Sequence, residues 1–121
     1  MYNWLEEMRT SKVKKAMPVL SFPAIQLLGI TVKELISNSD TQAQAMKLVA
    51  DRVDSAASVS MMDLSVEAEA FGSQVNFSDD EVPTVIGRII ETPEDAENLK
   101  VPAVGDGRTG LYIEAIKKAV D

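Results

Sequence analysis

In a chain with no cysteine and no histidine, chemistry must come from carboxylates, lysine, arginine, tyrosine, hydroxyls or the backbone. Disulfides, thiolate nucleophiles, imidazole bases and the nitrogen and sulfur ligands of zinc are missing from these residues. Among the carboxylates, Asp63 stands apart. It follows Ser55–Met62 (SAASVSMM), a small, apolar, uncharged run of the kind that forms a buried parallel strand. It precedes Ser65, which is expected to cap a short helix through Phe71 that stops at Gly72. A carboxylate between a buried strand and the next helix lies at the C-terminal edge of an α/β sheet, where sites are built. An aspartate in this position also serves as an N-cap or Asx turn, and the residues alone leave both roles open.

Other candidates are weaker. Glu67 and Glu69 suggest an acid pair, but at spacing two they point away from each other on a helix, and attraction to the helix N-terminus accounts for them. The run Gly105-Asp106-Gly107-Arg108-Thr109-Gly110 has the spacing of a dinucleotide fingerprint. It follows a proline-containing loop rather than a strand, and no acidic residue remains downstream at the distance of a ribose-binding group, so a flexible loop before a helix is the simpler reading. Asp79-Asp80-Glu81 lacks calcium-loop spacing and reads as a solvated turn. Met46, Met61 and Met62 read as packing residues.

The elements that must position Asp63 alternate between strand and helix. Asn3 to about Lys15 forms a leading helix with Trp4, Leu5 and Met8 on one face and lysines at its end. Ala16–Phe22 reads as a buried strand. Thr31–Glu34 and Ser39–Gln42 both match the capping box, and Ala43, Met46, Val49, Ala50 and Val53 continue the second helix to near Asp54. After the Asp63 unit, Gln74–Phe77 and Val82–Ile90 are strand candidates, with Pro83 and Gly87 giving the second an edge character. Thr92-Pro93-Glu94-Asp95 starts a short helix to about Leu99. Residues 101–110 form a loop, and a last helix aligns Tyr112, Ile113, Ile116, Ala119 and Val120.

With 121 residues, 45% hydrophobic and 26% charged, and a mean hydropathy of −0.01, the chain has the makeup of one domain that folds in water. Its net charge of −7 repels nucleic acid and anionic membrane. No apolar run is long enough to span a bilayer, and the N-terminus has acidic residues where a signal peptide has basic ones. A cytoplasmic protein is expected, with neither nucleic acid nor membrane as a partner.

The stretch MDLSVEAEAFG (Met62–Gly72), then Pro83-Thr84-Val85, then Thr92-Pro93-Glu94-Asp95 with Leu99 and Pro102, resembles the N-terminal part of the uroporphyrinogen decarboxylase superfamily. The Glu-Ala-Glu-Ala wording is most similar to its methylcobamide:coenzyme M methyltransferase branch. The resemblance runs from about Ala16 to the end, with Met17-Pro18-Val19 as the first barrel strand and Gly107-Arg108 before the last helix. It implies an α/β fold, a partial TIM (β/α)8 barrel: a leading helix over residues 1–15, then the opening βα units over 16–121. Complete barrels need roughly 250 residues, so this chain corresponds to an N-terminal fragment or truncated member.

The resemblance implies a site role for Asp63, because the matching aspartate of the decarboxylases contacts substrate pyrrole nitrogens. It adds Gln26 and Glu67 as candidate substrate-binding residues. The decarboxylases also bind substrate carboxylates through an arginine-rich stretch. Ser21–Gly29 (SFPAIQLLG), which matches it here, has no arginine, and this weighs against porphyrinogen decarboxylation. The methyltransferases hold zinc through one His and two Cys to activate a thiol, which takes methyl from a corrinoid. This chain has neither residue type, so no cofactor site is expected within it and the chain alone is expected to be inactive. Expected partners are a second copy or a completing chain, and a corrinoid protein in the full enzyme. The alternatives are a non-catalytic oligomerising or partner-binding module and a relative of the decarboxylase.

Overall fold

A computed structural model describes residues 3–120. Its elements follow in the order α1 (Trp4–Thr10), α2 (Ile25–Leu28), α3 (Val32–Ile36), α4 (Ser39–Arg52), α5 (Val66–Ala70), β1 (Gln74–Asn76), β2 (Thr84–Ile86), α6 (Pro93–Glu97) and α7 (Thr109–Val120).

Local side-chain chemistry sets most of the helix starts. Thr31 accepts from the Glu34 N–H while Glu34 reaches back to the Thr31 N–H, completing the expected capping box of α3. Thr92 and Asp95 make the same reciprocal pair at α6, behind Pro93 in the first turn. For α4 the expectation shifts by one residue. Asn38, not Ser39, is the N-cap, and its side chain accepts from the Asp40 and Thr41 N–H groups. Ser39 and Gln42 are buried instead. Lys118, at the end of α7, donates to Ser39 Oγ at 3.0 Å and to Asp40 Oδ1 at 2.7 Å, tying the last helix to the start of α4.

The core gathers on α3, α4 and the segment before Asp63. Leu35 and Ile36 are fully buried with Ala24, Val32, Ala45, Val49 and Met61, and Leu20, Phe22, Ile25 and Tyr112 pack against them from the rim. Tyr112 therefore faces the core, as its place on the apolar stripe predicts. The most extensive helix packing is between α4 and α7.

Three expectations change. The leading helix ends at Thr10 rather than near Lys15, because Ser11 turns to extended backbone (ψ 133°). Lys14 folds back to donate to the Met8 and Arg9 carbonyls, satisfying groups that a longer helix would have bonded. The expected strands at 16–22 and 55–62 have no ladder: Ala56 N–H donates to Ala16 C=O, and nothing else of a ladder joins the two segments among the described residues. A strand is defined by repeated bonds to a neighbour, and one bond does not make a ladder. The sheet that does form is a two-stranded antiparallel hairpin, pairing Gln74 with Ile86, Val75 with Val85 and Asn76 with Thr84. β2 is three residues long where Val82–Ile90 was expected, and Gly87 leaves it with φ 72°.

Truncating Leu35 to Ala should therefore lower the unfolding free energy by about 2–5 kcal/mol, through lost transfer energy and an unfilled cavity. Leu64→Ala, at a side chain 86% exposed, should stay within about 0.5 kcal/mol. Urea titrations of the two variants check the contrast.

Candidate functional site

Asp63 ends the extended segment that carries Met61 into the core, and its side chain is 1% exposed. A buried carboxylate is costly unless its lone pairs are filled. Here four donors fill them. Oδ1 accepts the Ser65 N–H at 2.9 Å and the Ser65 hydroxyl at 2.6 Å; Oδ2 accepts Arg108 Nη1 at 2.6 Å and the Tyr112 hydroxyl at 2.7 Å. The bond from the Ser65 N–H is the Asx turn that the sequence left open. Ser65, at the N-cap position of α5, makes no capping bond with its side chain, because its hydroxyl is committed to Asp63.

Arg108 joins these groups to the rest of the molecule. Its Nε donates to Glu69 Oε2 at 2.5 Å and its Nη2 to Ser65 Oγ at 2.8 Å, while its guanidinium lies 4.9 Å from the Phe77 ring centroid. The loop that delivers it is tightly wound. Gly105 (φ 92°) and Gly107 (φ 57°) take left-handed backbone, and a Cβ on Gly110 would stand 2.7 Å from the Gly105 carbonyl oxygen. Asp106 closes the turn by accepting the Ala103 N–H on its side chain and the Thr109 hydroxyl on its carbonyl. The glycines thus build a wound, hydrogen-bonded turn that presents the arginine, in the segment the sequence suggested as a loop before a helix.

Burial alone would push the Asp63 carboxyl up, but the hydrogen bonds from Ser65, Tyr112 and Arg108 outweigh it and hold the group below its ordinary value. Tyr112 moves up, through burial first and then through its bond to the Asp63 carboxylate. Burial works against the Arg108 charge, yet Asp63 and Glu69 together raise its proton affinity. Asp63 and Arg108 are therefore ionised and Tyr112 neutral near pH 7. With Glu69, the cluster contains two carboxylates and one guanidinium.

Beside it is a hollow of about 270 Å³, lined by Met61, Asp63, Val66, Thr109 and Tyr112. Glu67 lines this hollow from the exposed side of α5, whereas Glu69 turns to Arg108, so the two glutamates do not act as a pair. Gln26 is exposed on α2 and lines no part of the hollow. Sequence reasoning missed Arg108, Ser65 and Phe77 as partners of Asp63 and took Tyr112 for core alone. The available signal was an arginine between closely spaced glycines, four residues before a tyrosine and hence on the same helical face. A larger hollow of about 370 Å³ between α4 and α7 is lined by Met46, Ala50, Ile116 and Val120, with Lys47 the sole charged group on its wall.

Metal ligation fits these residues poorly. The chain has no His or Cys, and among the described residues no three acidic side chains converge in a way that would hold an ion. A soft-ligand zinc site has no donors here.

The uroporphyrinogen decarboxylase (URO-D) family matches residues 13–121. The chain belongs to that family. Over 56 residues it is 41% identical to the methylcobamide:CoM methyltransferase MtbA of Methanosarcina acetivorans, covering 46% of this chain and 16% of that protein. Its fold is that of a solved methyltransferase from Methanosarcina mazei, with a TM-score of 0.74 over 95% of this chain and 24% sequence identity. The match covers 36% of that structure, so this chain spans about a third or less of the length of either relative. No described helix is long and apolar enough to cross a membrane.

Because the Asp63 carboxyl is held below its ordinary value of about 3.9, its contribution to stability is complete above that value and is lost as pH falls through the lower folded value. Asp63→Asn should abolish that acid-side dependence. Near pH 7 it should cost about 3 kcal/mol, at the low end for a broken buried pair because Glu69 still holds Arg108. Urea unfolding from neutral to acid pH measures both.

Proposed function

We propose that this chain forms the opening βα units of a (β/α)8-type barrel, and that the complete barrel transfers a methyl group from a methylcobamide to a thiol such as coenzyme M. The observation that carries the reading is the buried Asp63, paired with Arg108 and lining a mostly apolar hollow, within a chain matched almost end to end by one family. In this reading Asp63 is a fixed negative charge in the pocket wall, and Tyr112 and Thr109 shape the hollow around it. Glu67 contributes from the rim; Gln26 has a place only in a pocket that extends beyond the described hollow.

Charge favours methyl transfer over decarboxylation of a polyacidic substrate. Arg108 is engaged by two carboxylates and Ser65, and residues 21–29 hold no arginine to bind substrate acids. Thiol activation through zinc needs donors that this chain lacks, so no step of that activation is assigned to its residues. The corrinoid and its carrier protein belong to the complete assembly. Exposed apolar side chains along the two unladdered segments, Met17, Val19 and Met62, favour a further chain or second copy as their cover.

Two assays test the reading. The 121-residue chain alone should not demethylate methylcobalamin with a thiol acceptor, and turnover by it would contradict the proposal. A chimera in which the chain replaces the matching segment of the M. acetivorans methyltransferase should be active, and Asp63→Asn in that chimera should lower kcat/KM at least about tenfold. An active chimera indifferent to Asp63 would remove Asp63 from the site.

A further inference from the structure

We propose that Arg108 is the positioning residue of the Asp63 pocket, a guanidinium that sets both the orientation and the charge of the carboxylate from the side away from the hollow. Three of its nitrogens have three different acceptors: Asp63 Oδ2 at 2.6 Å, Glu69 Oε2 at 2.5 Å and Ser65 Oγ at 2.8 Å. It acts on Oδ2 directly. It acts on Oδ1 through Ser65, whose hydroxyl accepts from Arg108 and must therefore turn its own hydrogen to Asp63. Both carboxylate oxygens are thus oriented by one cation, and rotation of the carboxylate plane would break bonds at both. Phe77 closes one face of the guanidinium, and the Arg108 side chain is only 11% exposed.

Arg108 does not line the hollow, so it acts through Asp63 rather than on a ligand. The fork geometry is essential, because a lysine ammonium restores the charge but is a single point that cannot span acceptors on α5 and on the Asp63 turn together. The titratable and charged groups around Asp63 are Glu67 and Glu69 from α5 and Arg108 and Tyr112 from α7 and its leading turn. Apart from Arg108 these are acids or a neutral phenol. Removing the guanidinium leaves two carboxylates facing a shared space with no cation between them, and such carboxylates bind a proton more readily. The same turn that needs left-handed glycines at 105 and 107 exists to bring this one side chain inward.

This role presupposes that Asp63 is a pocket group but not that the reaction is methyl transfer, and its readout is the carboxylate itself. The Asp63 side-chain carboxyl is followed by carbon-13 NMR against pH in the full chain and in Arg108→Gln, Arg108→Lys and the exposed control Arg88→Gln. The expected result is a midpoint at least one pH unit higher in Arg108→Gln, about tenfold in proton affinity, with Arg108→Lys between it and the parent and Arg88→Gln unchanged. A folded Arg108→Gln protein whose Asp63 midpoint does not move overturns the proposal. If Arg108→Gln does not fold, Arg108→Lys decides by the same midpoint. Failure of both to fold makes Arg108 a structural residue and also overturns it. Methyl transfer by the chimera is not needed for any of these outcomes, so failure of the methyl-transfer reading is seen separately.

Discussion

The ion pair between Asp63 and Arg108 is the constraint around which the molecule is arranged. A carboxylate 1% exposed must have its lone pairs filled, and this one is served by Ser65 beside it and by Arg108, 45 residues further along the chain. Meeting that demand requires the turn at Ser65, the start of α5, the wound glycine loop and the first turn of α7 to converge. Glu69 and Phe77 then pin the far side of the guanidinium, so the residue that follows strand β1 is joined to the same centre. Buried ion pairs of this kind add little net stability against a well-packed apolar alternative, but removing one partner leaves a charge with no compensation. The pair therefore acts chiefly as a specification of geometry.

Around that centre the apolar packing is one-sided. Leu35, Ile36, Val49 and Met61 make a tight cluster between α3, α4 and the segment before Asp63, while Met17, Val19, Met62 and Val104 remain largely in water. Among the described residues, the two extended segments that flank the core meet through one backbone bond, from the Ala56 N–H to the Ala16 carbonyl. The match covers about a third of a larger methyltransferase structure.

Much of the fold was legible in local chemistry. Capping at Thr31 and Thr92, the helical stripe of α4, the stop at Gly72 and the placement of Asp63 follow from side chains acting within a few residues of themselves. What was not legible depends on partners distant in sequence. Ser55–Met62 has the composition of a buried strand, yet a ladder is a property of two segments. Asn38 displaced Ser39 as the cap of α4 because both side chains were competent and Ser39 is drawn into the interface with Lys118. Arg108 looked like one residue of a mobile glycine loop because its three acceptors lie 39 to 45 positions away. Asp63 was found from its position in the chain, but its saturation by four donors was visible only in three dimensions.

The most direct test of this account is a double-mutant cycle between Asp63→Asn and Arg108→Gln, read as urea unfolding free energies near neutral pH. If the pair organises the site, the two substitutions are strongly coupled, with an interaction energy of about 1–3 kcal/mol. Additivity to within about 0.5 kcal/mol would mean that the carboxylate and the guanidinium stand in place independently, and would contradict the account.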